Sequence, residues 1–129
     1  MGVDDATFYG DSRIGVAAQA FCYPGTNPKG GDFPPPSRCA ALWRDRLLAS
    51  LPKIELTLLV GGHAQAWALG ERMKPTMTQT VACWREYGPS ILPLPHPSWR
   101  NTAWLKREPW FEQEVAPYLR ERVAAILSP

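Results

Sequence analysis

The sequence predicts an α/β fold, a three-layer sandwich with a mostly parallel β-sheet. Two observations predict it: apolar runs short enough for buried strands, and helical segments that follow them along the chain. The clearest unit is IELTLLVGG followed by HAQAWALG, in which an apolar strand, two glycines and a helix succeed one another. With 129 residues, of which 45% are hydrophobic, the chain is expected to form one domain over residues 1–129.

The first predicted strand and a long loop occupy residues 12–36. The segment SRIGVAAQAF, with its strand near residues 13–20, is small and apolar enough to be buried in a sheet. The loop CYPGTNPKGGDFPPP that follows is rich in glycine and proline, and long ordered loops are more often functional than incidental. We therefore interpret it as the lip of a binding cleft, with a mobile surface segment as the alternative.

The next predicted element is a helix from Ser37 through Leu51, with Ser37 as its N-terminal cap. Four large apolar side chains recur at helical spacing, which predicts one face packed into the core. They are Leu42, Trp43, Leu47 and Leu51.

The second half of the chain alternates strands with helices. Its predicted elements are a strand at 55–60, a helix opened by Gly61 and Gly62 that ends at Gly70, a short helix at 78–87, a strand at 91–94 and a largely helical segment at 104–127 with Pro109 and Pro117 as starts or breaks. This alternation implies a parallel sheet, whose ligands bind beyond the carboxyl ends of the strands. The loops after Phe21 and Leu94 are both expected at that edge.

Charge, hydropathy and cysteine content narrow the class of protein. The net charge of +2 is too small to identify an acidic partner, although arginines and lysines cluster in the last third. No apolar run approaches the roughly 20 residues that span a bilayer, and the start MGVDDATFYG is unlike a signal peptide, so we expect a cytoplasmic protein with no membrane partner. Three cysteines argue against a disulfide framework and leave buried thiols or metal ligation.

The stretch PLPHPSWRN, residues 93–101, places a histidine where regular structure cannot form. Its three prolines lack an N–H and fix φ, which predicts a rigid extended loop that holds His96 still. His96 is then either structural, satisfied by nearby backbone, or catalytic, aimed at a substrate oxygen. Its neighbours offer donors suited to phosphates and polar ring edges, with an apolar wedge between them. They are Ser98, Arg100 and Asn101, with Trp99 as the wedge.

These residues resemble a known family. HPSWRN is similar to the second conserved motif of the uracil-DNA glycosylase superfamily, written HPSxxN or HPSPRN. FCYPG, the proline-rich loop and Cys39 resemble the segment that carries two cluster cysteines in bacterial and archaeal iron–sulfur uracil-DNA glycosylases. LTLLVGGHAQAWALG resembles their third strand and the helix after it. The resemblance covers nearly the whole chain.

The resemblance implies roles for the segment 93–101, here called the histidine loop. Glycosylases take the target base out of the stack, which requires a pocket and a wedge for the vacated space. His96 would donate a hydrogen bond to uracil O2 as negative charge develops during cleavage of the glycosidic bond. Ser98 and Asn101 would bind backbone phosphates. Trp99 and Arg100 occupy the positions of the wedge that enters the duplex.

The sequence departs from the superfamily at its first motif. That GxxPG-like loop carries the residue that positions the attacking water, and in the family it precedes every segment matched here. The resemblance therefore implies an N-terminally truncated member that lacks the family's N-terminal strand and first motif. The asparagine that reads the pyrimidine aligns with Ala18, so its neighbour Gln19 is the candidate substrate contact, together with Phe21.

Cys22 and Cys39 match two of the four thiolate positions of the family's [4Fe–4S] cluster. They would be metal ligands only with an upstream cysteine pair. We therefore expect no cofactor in this chain, and a [4Fe–4S] cluster only in a full-length form. Cys83 matches no ligand position.

The function implied by the resemblance is excision of uracil from DNA by hydrolysis of the N-glycosidic bond, as in base excision repair. One alternative is a non-catalytic DNA-binding or assembly module derived from such an enzyme. Another is an unrelated α/β protein whose histidine loop binds a small phosphorylated ligand. DNA is thus the expected partner.

The resemblance also bears on the sheet. In the superfamily the strand order is 2-1-3-4, and the predicted strands near 13–20, 55–60 and 91–94 match the second, third and fourth. Without the central strand, two apolar edges would be exposed. We therefore expect either a closed-up sheet, with residues 13–20 beside 55–60, or pairing between two chains in a homodimer.

Overall fold

Two parallel strands form the centre of the computed structural model, which describes residues 1–98 and 101–129. Strand β1 is Thr57–Val60 and strand β2 is Ile91–Leu94. They pair in parallel with Thr57 opposite Ile91, and the Gly61 N–H extends the ladder by donating to the Leu94 carbonyl at 2.9 Å. The predicted strands at 55–60 and 91–94 are confirmed.

Helices flank this pair of strands. They are α1 (Asp5–Gly10), α2 (Ser37–Ala49), α3 (Gly62–Leu69), α4 (Met77–Ala82), α5 (Thr102–Arg107) and α6 (Ala116–Leu127). Short 3₁₀ turns follow at Gly70–Arg72 and Trp84–Glu86, and a π-helical turn at Phe111–Val115 leads directly into α6. The predicted helix that ends at Gly70 and the largely helical segment at 104–127 are confirmed. The predicted helix at 78–87 is confirmed in part, because it ends at Ala82 and a separate 3₁₀ turn follows Cys83. Over the described ranges, none of the helices has the length and apolar character needed to cross a membrane.

The two faces of the sheet are covered by different helices. Leu92 and Leu94 project to one side and pack with Val115 and Leu119 of the C-terminal helical segment. Leu59 projects to the other side. There it packs with Leu69 of α3 and with Tyr87. Because side chains alternate across a strand, these clusters are separate cores on opposite faces. The α/β class with helices on both sides of a parallel pair is confirmed.

The predicted strand at residues 13–20 is wrong. These residues form a turn, a bend and otherwise irregular backbone, and Val16 is 80% exposed. Two of their carbonyl groups accept from a side chain instead of a neighbouring strand, since Nη1 of Arg44 donates to Ala17 at 3.3 Å and to Ala18 at 2.8 Å. Small side chains bury too little apolar area to hold a strand. The closed-up sheet is therefore also wrong, because the sheet of the described residues has only two strands.

Helix α2 is confirmed, but its predicted buried face is wrong. Leu42 is 58% exposed, and Trp43 and Leu51 are also exposed, while Leu47 is half-buried. The buried side chains are Cys39, Ala40 and Arg44. Arg44 lies over the Trp67 ring at 4.6 Å, so a planar cation packs on the buried side of the helix, where only large apolar side chains were expected. Pro36 precedes the helix, and Ser37 is its first residue instead of its cap.

Candidate functional site

The loops after β1 and β2 meet at the carboxyl edge of the sheet. Gly61 ends the first strand with φ of 85°, a conformation that favours glycine. His96 follows the second strand by two residues. A Cβ placed on Gly61 would lie 3.5 Å from the Cβ of His96, so the histidine packs directly against the glycine turn. This edge is where ligands bind in open parallel sheets.

The histidine loop is held by hydrogen bonds as well as by its prolines. The Ser98 N–H donates to the His96 carbonyl at 2.8 Å, and the side-chain amide of Asn101 donates to the same oxygen. The Asn101 N–H donates to the Ser98 carbonyl at 2.8 Å. These hydrogen bonds fix the backbone of His96, and the residue is exposed to solvent. An accessible imidazole on a fixed backbone can donate a hydrogen bond to a docked ligand.

A buried glutamine lies behind this loop. The Nε2 of Gln65 donates to the carbonyl of Leu94 at 2.9 Å and to that of Leu59 at 3.3 Å. It therefore contacts the carboxyl ends of both strands. Sequence reasoning missed it, although one signal was present: Gln65 is the only amide side chain in the otherwise largely apolar helix α3.

The segment 93–101 contains four further predicted site residues besides His96. Ser98 and Asn101 are half-buried beside His96. The wedge residues Trp99 and Arg100 lie outside the described residues. The structure thus brings three of the five predicted loop residues together at the sheet edge, and their contacts with substrate or DNA stay predictions.

The two candidates from the first loop lie in different surroundings. Gln19 is half-buried, and its Oε1 has no hydrogen-bond partner among the described residues. Phe21 is 55% exposed and lines an open cavity of about 400 Å³ with Trp43, Arg46 and Leu47. Since no strand precedes Phe21, the expectation that it shares a sheet edge with the histidine loop loses its physical basis.

The predicted metal ligands form a close thiol pair. The sulfur atoms of Cys22 and Cys39 lie 3.8 Å apart. The Phe21 N–H donates to the buried Cys39 Sγ at 3.2 Å, which lowers the pKa of Cys39, whereas the neighbouring Cys39 raises the pKa of the exposed Cys22. Two thiols are half of what a [4Fe–4S] cluster requires. Within residues 1–98 and 101–129, no group of three or more metal-binding side chains completes such a site.

Helix α5 places positive charge immediately after the loop. Lys106 and Arg107 are exposed in its last turn. The helix is anchored by Trp104, which is buried and whose Nε1 donates to Thr78 Oγ1 of α4 at 2.8 Å.

Comparison with known protein families shows the family to which this chain belongs. The model of the uracil DNA glycosylase superfamily matches residues 5–120 of the 129-residue chain. The matched region contains both strands, helices α1 to α5, the first five residues of α6 and the histidine loop. The chain therefore belongs to the uracil-DNA glycosylase superfamily, and its function is glycosylase-like at the level of that family.

Proposed function

We propose that this protein excises uracil from DNA by hydrolysis of the N-glycosidic bond. The observation that carries the proposal is His96, which is exposed at the carboxyl edge of the sheet on a backbone held by Ser98, Asn101 and the Gly61 turn. Membership of the superfamily supports the reaction class.

The chemistry assigned to His96 is stabilisation of the departing base. When the glycosidic bond breaks, its electrons move into the uracil ring and negative charge builds on O2. A donor that is already aimed at this oxygen lowers the barrier without having to reorganise. An N–H of the imidazole is such a donor, and the hydrogen bonds around the loop limit how far it can move.

The other loop residues complete the proposal. Ser98 and Asn101 would bind phosphates on either side of the flipped nucleotide, and Trp99 and Arg100 would fill the space that it leaves in the duplex. Gln19 and Phe21 would contact the substrate. No described residue is assigned to position the attacking water.

Within the superfamily, we propose that this protein is most similar to the iron–sulfur glycosylases. The spacing and proximity of Cys22 and Cys39 support placement with the iron–sulfur glycosylases. The order of the matched motifs supports correspondence to the part of that fold after its first motif. A [4Fe–4S] cluster would then need two further cysteines. A cytoplasmic location and a homodimer stay predictions.

A non-catalytic DNA-binding module is the second candidate. It is favoured by one observation, namely that the wedge loop and the cations of α5 are present while no described residue is assigned to the water. The two candidates differ in turnover and agree in DNA binding.

Single-turnover excision on a uracil-containing duplex tests the proposal. We expect the wild-type chain to release uracil and His96→Ala to lower the rate by about 10² or more, as loss of an oxyanion-type donor does. His63→Ala is the matched control, because His63 is an exposed histidine on α3 outside the loop. A His96→Ala rate equal to that of the wild type and of His63→Ala would show that His96 has only a structural role. Binding in a gel-shift assay without excision would favour the second candidate.

A further inference from the structure

We propose that Gln65 is a positioning residue that holds the histidine loop through the backbone of Leu94. The inference deepens the proposed function and rests on it for the role of His96. The Gln65 side chain is fully buried, and its Nε2 donates to the last carbonyl of β2 and to the Leu59 carbonyl of β1.

Burying the side-chain amide of Gln65 costs free energy that an apolar side chain would not cost. Gln65 lies on the inner face of α3, where Leu69, one turn later, is apolar and buried. A leucine or methionine at this position would fill similar space without the cost of taking an amide out of water. The amide instead bridges β1 and β2 near their carboxyl ends, beside the Gly61–Leu94 hydrogen bond that closes the ladder.

The bridge reaches His96 through only two peptide units. The Leu94 carbonyl accepts from Gln65 and from the Gly61 N–H, each at 2.9 Å. Pro95 follows with a fixed φ, and His96 then packs against Gly61. A shift of the Leu94 carbonyl is therefore expected to move His96, because the segment between them has few rotatable bonds.

The orientation of the amide is determined by its partners. Both contacts at Nε2 are carbonyl oxygens, so exchanging Nε2 and Oε1 would bring three acceptors together. In the described structure Oε1 is buried and has no hydrogen-bond partner among the described residues. The donor end of Gln65 therefore carries the interaction, and a side chain of similar size without a donor should release the strand ends.

Gln65→Met is the test variant, and Gln113→Met is its control because Gln113 is exposed in the π-helical turn. We expect Gln65→Met to lower the single-turnover excision rate by about tenfold to 10²-fold, the effect of a small misplacement of a catalytic group. Its affinity for uracil-free duplex should match wild type within about twofold, because phosphate contacts dominate that binding. The backbone amide NMR signals of Gly61, His96 and Ser98 should shift in this variant and stay unchanged in the control.

Unchanged signals at His96 and Ser98 in Gln65→Met would overturn the positioning role, whatever the excision rate. If the wild type itself releases no uracil, the proposed function fails, and these signals still decide the role of Gln65.

Gln65→Glu covers the outcome in which Gln65→Met does not fold. A protonated carboxyl can donate to the Leu94 carbonyl, whereas a carboxylate can only accept. The His96 and Ser98 amide signals of Gln65→Glu should therefore match wild type at low pH and diverge from it as pH rises, each compared with wild type at the same pH. The carboxyl ¹³C signal of the introduced side chain reports its ionisation, and His96 and Ser98 signals that still equal wild type after it has ionised would contradict the proposal.

Discussion

At the scale of single residues, the position of His96 at the sheet edge was predictable from sequence, whereas the contacts of Gln65 were not. Pro95 and Pro97 flank His96 in irregular backbone directly after β2, and the polar residues after it form a recognisable set. Gln65 stands alone among apolar residues of a helix, so its partners could not be inferred before the fold placed α3 over both strand ends.

Arg100 and Trp99 are expected to contribute to DNA binding in different ways, the first through charge and the second through stacking. Arg100→Ala should weaken binding to duplex DNA and reduce the slope of log K against log salt by about 0.9, because one fewer phosphate is neutralised. Trp99→Ala should weaken binding with an unchanged slope, because an aromatic side chain acts through stacking. The measurement is affinity at several salt concentrations. Equal slopes for wild type and Arg100→Ala would show that Arg100 does not contact DNA.

At the scale of elements, the strand–turn–helix unit at β1 and α3 was predictable because its signals are local. A continuous apolar run, two glycines and a helix ending at Gly70 are each visible in the sequence. The buried face of α2 was not, since periodicity shows that a helix has an apolar face but not which neighbour covers it. Arg44 is buried there by the carbonyl groups of Ala17 and Ala18 and by the Trp67 ring.

The two glycines of this turn should respond oppositely to alanine. Gly61→Ala should lower the free energy of unfolding by about 1–3 kcal/mol, because φ of 85° with extended ψ is nearly restricted to glycine. Gly62→Ala should raise it by about 0.4–1 kcal/mol, because Gly62 is helical and the nearest contact to an added Cβ is at 4.0 Å. Urea denaturation measures both. Similar values for the two variants would contradict the assigned conformations.

At the scale of the whole molecule, the α/β class follows from the alternation of elements, whereas the strand count does not. The segment at 13–20 has the composition of a strand, but it forms irregular backbone in which Arg44 donates to the Ala17 and Ala18 carbonyl groups. Whether a segment joins a sheet depends on partners far along the chain, which composition does not specify.

The chain ends are joined by a contact that should depend on pH. Arg13 pairs with Asp11 at 2.7 Å and donates to the Leu127 carbonyl of α6 at 3.1 Å. The Arg13 side chain lowers the pKa of Asp11 from 3.8 to about 2, so its stabilisation is present above pH 3.8 and is lost as pH falls toward 2. Asp11→Asn should lower Tm at pH 5, and the difference should shrink near pH 2. A difference independent of pH would show that the ion pair does not contribute.

The described strands leave sheet edges that favour pairing between chains. With the closed-up sheet excluded, we expect a homodimer. Light scattering at increasing protein concentration measures it. A monomer at all concentrations would contradict this expectation.

Release of free uracil by the wild-type chain tests the glycosylase assignment most directly. The assay uses a duplex with one uracil and the same duplex with thymine at that position, each with enzyme in excess. We predict release of uracil from the first duplex, its reduction by about 10² or more in His96→Ala, and no release of base from the second. A wild-type chain that binds the uracil duplex without releasing the base, or releases it equally with His96→Ala, would contradict the proposed role of the histidine loop.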